Sequence, residues 1–113
     1  MKSKIVALSK NEEFKSLLNQ KKISNKYVVI FFGRLANKNI SKLNISFVVK
    51  KKIGNAVNRN KIKRRLRNII NDAVKNVNLK FNYSYLVIAK PTMLNKEYTI
   101  MKETLFSDLE RIR

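Results

Sequence analysis

Val57-Asn58-Arg59-Asn60-Lys61-Ile62-Lys63-Arg64-Arg65-Leu66-Arg67-Asn68-Ile69-Ile70-Asn71-Asp72-Ala73-Val74-Lys75-Asn76-Val77 is the stretch on which the architecture turns. At 100° per residue, Ile62, Leu66, Ile69, Ile70, Ala73 and Val77 fall within about 100° of arc, so a long helix with one apolar face is predicted. Just upstream, Leu43, Ile45, Phe47 and Val49 alternate with Asn44, Ser46 and Val48, the pattern of a half-buried strand. Just downstream, Tyr83 to Ala89 reads as another strand, stopped by Pro91. A strand-helix-strand step in so short a chain argues for a small α+β sandwich, with helices packed on a mixed sheet of three or four strands.

The flanks complete the pattern. Ser9-Lys10-Asn11-Glu12 has capping-box spacing, and Phe14, Leu17 and Leu18 follow at helical intervals, which predicts a first helix over about 10–20. Lys26 to Gly33 is β-branched and aromatic and forms a strand that Gly33 closes. Asn37 to Ser41 is polar and turn-like, and the Tyr27 to Val49 region has room for a third strand. Leu94, Tyr98, Met101, Leu105, Leu109 and Ile112 form the stripe of a final helix. No linker or repeat interrupts this order, so residues 1–113 are expected to form one domain.

Composition narrows the function. The chain carries 26 Lys+Arg, 7 Asp+Glu and no His, a formal net charge of +19, and a partner rich in negative charge is the first expectation. A hydrophobic fraction of 44% with 2 Gly and 1 Pro is unlike a disordered basic tail. With no Cys there is no thiolate metal site and no cysteine nucleophile, and with no His the commonest general base near pH 7 and the commonest metal ligand are missing. Two-metal hydrolysis needs clustered carboxylates, and the basic zone has none, so no catalytic residue and no metal site are assigned to the chain itself. The amino terminus does not read as a signal peptide and no apolar run is long enough for a membrane span, so a cytoplasmic, membrane-free protein is expected.

The distribution of charge says more. The acids are Glu12, Glu13, Asp72, Glu97, Glu103, Asp108 and Glu110, so Phe14 to Asn71 is acid-free while holding 16 of the 26 basic residues. Arg59, Arg64, Arg65 and Arg67 gather four of the chain's seven arginines in nine residues, and their forked guanidinium groups fit phosphate bidentately. On the helix projection Asn60, Lys63, Arg64 and Arg67 occupy one flank of the apolar stripe, Lys61, Arg65 and Asn68 the other, and Arg59 lies near its edge. Cations at a helix start oppose the macrodipole by a few tenths of a kcal/mol each. Accepting that cost points to an external anion such as a phosphate backbone. Gly54, before the helix, offers a position without a Cβ for close approach of another backbone.

Lys51-Lys52-Ile53-Gly54-Asn55-Ala56-Val57-Asn58-Arg59-Asn60-Lys61-Ile62-Lys63-Arg64-Arg65-Leu66-Arg67 resembles the signature of the protein subunit of bacterial ribonuclease P, roughly K-K-x-G-x-A-V-x-R-N-R-x-K-R-x-x-R. It matches at Lys51, Lys52, Gly54, Ala56, Val57, Arg59, Asn60, Lys63, Arg64 and Arg67. The resemblance implies an αβββαβα-like fold with a left-handed crossover through the signature helix. It implies a catalytic RNA partner, bound by Lys52, Arg59, Asn60, Lys61, Lys63, Arg64 and Arg67, that itself carries the chemistry. With Mg²⁺ held mainly by that RNA, the enzyme removes the 5′ leader of precursor tRNA. It also implies a cleft for the leader between the first helix and the sheet, formed by Phe14, Phe31, Lys50 and Lys51, whose aromatic rings can stack on unpaired bases. One protein per RNA is expected.

The chain departs from the family at a few points. Lys61 stands where Arg is usual, Leu18 where a second helix aromatic is common, and Asn44 and Ser46 where an Arg and a Gly are usual. Asn19 to Asn25 lacks a usual Gly. A ribosomal RNA-binding protein of similar fold would also account for charge, size and element order, but not for the matched signature.

Overall fold

The computed structural model describes residues 5–8, 11–35, 41–77, 79–95 and 97–112. Its elements are β1 (Ile5–Val6), α1 (Asn11–Leu18), β2 (Lys21–Ser24), β3 (Val28–Gly33), β4 (Leu43–Val48), α2 (Ala56–Asn76), β5 (Ser84–Ala89) and α3 (Tyr98–Glu110), with short 3₁₀ turns at Lys51–Ile53 and Pro91–Leu94. Among the described residues the strands form one sheet in the order β1-β4-β5-β3-β2. β4 and β5 run parallel, with α2 as their crossover, and β3 is antiparallel to β5. The fold is the expected α+β arrangement of helices on a mixed sheet.

The sheet has five strands where three or four were expected. The additions are its two edges. β1 is two residues long, and β2 exposes Lys21, Lys22 and Ser24 with only Ile23 half-buried, so neither carries the apolar alternation that marks a strand. The expected strand from Lys26 begins at Val28, because the Asn25 side chain accepts hydrogen bonds from the N–H groups of Tyr27 (2.7 Å) and Val28 (2.9 Å) and holds a turn there. The final helix starts at Tyr98, and Leu94 belongs to the 3₁₀ turn that Pro91 opens. Ser9 of the expected capping box lies outside the described residues, as does most of the Asn37 to Ser41 turn. No third strand divides the Tyr27 to Val49 region among the described residues.

Strand alternation sends side chains to two unequal cores. On one face Val28, Ile30 and Phe32 of β3, Leu43 and Ile45 of β4 and Tyr85 and Val87 of β5 meet Ile62, Leu66, Ile69 and Ile70 of α2 and Met101, Leu105 and Leu109 of α3. On the other face Leu17 of α1 packs with Leu8 and Leu86, joined by half-buried Phe14, Phe31, Leu35, Val48 and Ile88. The sandwich therefore has α2 and α3 on one side and α1 alone on the other. The lone helix leaves part of its face uncovered.

Candidate nucleic-acid interface

The basic helix is anchored by its start and its stripe. Asn55 caps α2 in an extended conformation (φ −73°, ψ 175°), and its side chain accepts the Asn58 N–H at 2.9 Å. Ile62, Leu66, Ile69, Ile70 and Ala73 are buried, which turns Asn60, Lys61, Lys63, Arg64 and Arg67 outward into solvent. Lys50, Lys51 and Lys52 are exposed as well, with Lys51 and Lys52 in the turn between β4 and α2. Among the described residues none of these seven cations has an ion-pair partner. Some cations elsewhere do: Lys26 lies 3.4 Å from Glu97, Lys102 2.7 Å from Asp72 and Arg111 3.6 Å from Asp108.

Two arginines behave differently. Arg59 is half-buried, and its Nε is shut off from solvent with no hydrogen-bond partner among the described residues. Its position inside the apolar arc explains that burial, and it leaves the guanidinium short of acceptors. Arg65 turns back onto the protein, where its Nη1 donates to the carbonyls of Met93 (2.9 Å) and Asn95 (3.0 Å) and ties α2 to the segment after β5. Its place in the arginine cluster suggested phosphate, and the structure instead makes it a strut. A Cβ at Gly54 would meet the Asn58 side chain at 3.3 Å.

The opposite face holds the aromatic residues. Register aligns Lys22 of β2 with Phe31 of β3, Phe31 with Leu86 of β5, and Leu86 with Ser46 of β4, a row that crosses the sheet beneath α1. Phe31 and Phe14 are brought together there, both half-buried. The Lys22 ammonium stands 5.9 Å from the centroid of the Phe31 ring, a cation–π contact. Lys22 was missed from sequence because β2 was not legible. Leu18 is 47% exposed and adds no wall to this cleft. Lys50 is extended (φ −69°, ψ 149°) and follows Val48 at strand alternation, which leads it from the end of β4 toward the α1 side. Lys51 sits one residue further, in the turn that leads to α2.

The carboxylates have other employment. The Tyr27 hydroxyl, donating at 3.0 Å, and Lys26 hold Glu97 below the usual carboxylate range, while burial and the same Glu97 push the Tyr27 phenol up. Lys102 holds Asp72 down. Among the described residues no three Asp, Glu, His or Cys side chains gather.

Over residues 3–113 the chain matches the family described as Ribonuclease P. The chain belongs to the ribonuclease P protein family. It is 35% identical over 102 residues to the ribonuclease P protein component of Carboxydothermus hydrogenoformans, covering 87% of this chain and 83% of that one. It is 30% identical over 113 residues to that of Mycoplasma mycoides, covering 100% of both. The solved ribonuclease P protein from Thermotoga maritima superposes with a TM-score of 0.79 at 25% identity, over 96% of this chain and 98% of that chain. The Staphylococcus aureus ribonuclease P protein shares the fold, with a TM-score of 0.74 at 22% identity over 93% and 92%. As a ribonuclease P protein, this chain is a subunit of an endoribonuclease of tRNA 5′ maturation, and ribonuclease P RNA is its partner. The family match sets the ribosomal alternative aside. No helix among the described residues is long and apolar enough to cross a membrane.

Proposed function

We propose that the ribonuclease P protein divides its work between the two faces of the sheet. Lys52, Arg59, Asn60, Lys61, Lys63, Arg64 and Arg67 dock on the catalytic RNA. Phe14, Phe31, Lys50 and Lys51, with Lys22 added from the structure, receive the 5′ leader of precursor tRNA. One protein serves one RNA, in the cytoplasm.

The observation that carries this reading is the contrast in ion pairing. The outward cations of α2 and its preceding turn have no counter-ion among the described residues, whereas Lys26, Lys102 and Arg111 each have one. Phosphates supply the missing charge, and their condensed counter-ions are released on binding. On the other face, half-buried rings beside an ammonium suit a single strand, whose bases stack while its phosphates meet the cation. Mg²⁺, when held by the partner RNA, would supply an activated water and charge stabilisation for the leaving oxygen. The protein's part is to position the two RNAs.

The test is reconstitution. RNA-free protein should leave precursor tRNA uncut across a Mg²⁺ titration, and an equimolar amount of the catalytic RNA should bring cleavage at the leader junction. Native mass spectrometry should show one protein per RNA. Cleavage by rigorously RNA-free protein would overturn the assignment of chemistry to the partner.

A further inference from the structure

Beyond β1 the outer edge of β4 opens onto a cavity. β1 pairs with β4 only at Leu43 and Asn44, which leaves Ser46 to Val48 without a strand partner on that side. Buried Ile45 and half-buried Ile5 and Phe47 supply the apolar part of a space of about 480 Å³, and exposed Lys63 and Arg67 of α2 supply the charge. Ala7 and Ser46 complete the lining. The Ser46 hydroxyl is already engaged, accepting the Leu8 N–H at 2.8 Å.

We infer that this cavity accepts one unpaired nucleotide of the catalytic RNA, with its base against Phe47 and Ile45 and its phosphate on Lys63 and Arg67. The inference rests on the proposed docking of α2 on that RNA. Lys63 and Arg67 lie one helical turn apart, on the same flank, with no counter-ion among the described residues, so the occupant is anionic. A bare phosphate would leave the apolar lining and the partly exposed Phe47 ring wet. An uncharged apolar ligand would leave two cations unsatisfied. A nucleotide satisfies both, and the volume lies within the range of about 300–1,000 Å³ that small-molecule sites occupy. Only an unpaired, unstacked base can present its ring face to an aromatic side chain, so a duplex is excluded from this position. Phe47 alternates with Ser46 and Val48, hence this site opens on the α2 side of the sheet, opposite the cleft beneath α1. The chain thus has two places for unpaired bases, one on each face.

The chain has no cysteine, so Ala7→Cys provides a unique thiol at the cavity. Ala7 is exposed, and the substitution leaves both cores intact. A photo-crosslinker on that thiol, in protein reconstituted with the catalytic RNA, should mark a narrow set of unpaired nucleotides. A second probe at Val57→Cys, exposed at the start of α2, reports docking of the helix itself. Crosslinks from Val57 with none from Ala7, or Ala7 crosslinks confined to duplex, would overturn the nucleotide site while leaving helix docking intact. Loss of both crosslinks together with loss of complex would overturn the docking reading first. As an independent measurement, Ala7→Phe should fill the space and weaken RNA binding roughly five- to 150-fold, the range for losing one stacked base, with the salt slope unchanged. Wild-type affinity in an Ala7→Phe protein with a normal melt would also overturn it.

Discussion

Asn25 and Asp108 stand 83 positions apart in sequence, and their side chains meet: Asn25 Nδ2 donates to Asp108 Oδ2 at 2.7 Å. Asp108 is only 7% exposed, so this contact gives a buried carboxylate a donor, and the Arg111 guanidinium lies 3.6 Å away as an ion-pair partner. The same Asn25 holds the turn between β2 and β3. One amide therefore couples the sheet edge to the last helix.

Asn25→Ala should remove both functions and destabilise the protein by about 2–3 kcal/mol, since a buried charged acceptor loses its donor. Asn25→Asp keeps the turn acceptor but sets a second carboxylate against Asp108. Its melting temperature should be below wild type at pH 7. Thermal melts of both variants check this.

Acid stability should depend on Asp72 and Glu97. Both have their pKa lowered in the folded state, Asp72 from 3.8 and Glu97 from 4.5. Their contribution is therefore complete above those unfolded-state values and is lost as pH falls below them toward the folded pKa. The melting temperature should hold steady above about pH 5 and fall below pH 4.5. Asp72→Asn with Glu97→Gln should flatten that acid limb. An equally steep limb in the double variant would show that the acid sensitivity lies elsewhere. Lys102, raised by Asp72, contributes below 10.5 and loses its contribution as pH rises through its folded pKa.

Salt titrations should separate arginines that look alike in sequence. Binding of the catalytic RNA should weaken with a log–log slope of about −0.7 to −0.9 per phosphate neutralised. Arg64→Ala or Arg67→Ala should reduce the slope by about one unit and leave the melt unchanged. Arg65→Ala should do the reverse, lowering the melting temperature by several degrees through the lost Met93 and Asn95 carbonyl contacts while leaving the slope near wild type. Lys80→Ala, at an exposed position beyond α2, should change neither.

Phe31→Ala should weaken holoenzyme binding of precursor tRNA with a leader of several nucleotides by about 1–3 kcal/mol and spare leaderless tRNA. Binding of the catalytic RNA should be unaffected. Equal losses for long-leader and leaderless substrates, with a large drop in melting temperature, would return Phe31 to a purely structural role. Lys22→Ala should act in the same direction more weakly, because the cation would lose its phosphate while the ring remains.

What the sequence made legible follows from where its signals are strong. α2 was readable because six apolar positions from Ile62 to Val77 keep a 3.6-residue period, and β4 and β5 because their alternation flanks it. β1 and β2 were not, since edge strands bury few side chains and are defined by backbone pairing that leaves little trace in residue type. The divergence of Arg64 and Arg65 was hidden as well. Both are arginines on the same helix, and only the position of the Met93 to Asn95 segment decides which one is claimed internally. That Phe14 and Phe31 border the same small core needed the register of β3 against β5 and the placement of α1 on the sheet's second face.

The position of β5 at the centre of the sheet has a consequence for assembly in time. β3 and β4 never pair with each other, because β5 lies between them. A chain emerging from the ribosome can close the β2–β3 hairpin and wind α2 early, yet its two half-sheets remain unjoined until Ser84 to Ala89 arrives. Long-range pairing of this kind is slow, because the loop must close before the contacts reward it. The basic helix is therefore synthesised before the strand that fixes its orientation, and any truncation ahead of Ser84 yields a basic helix with no sheet to hold it.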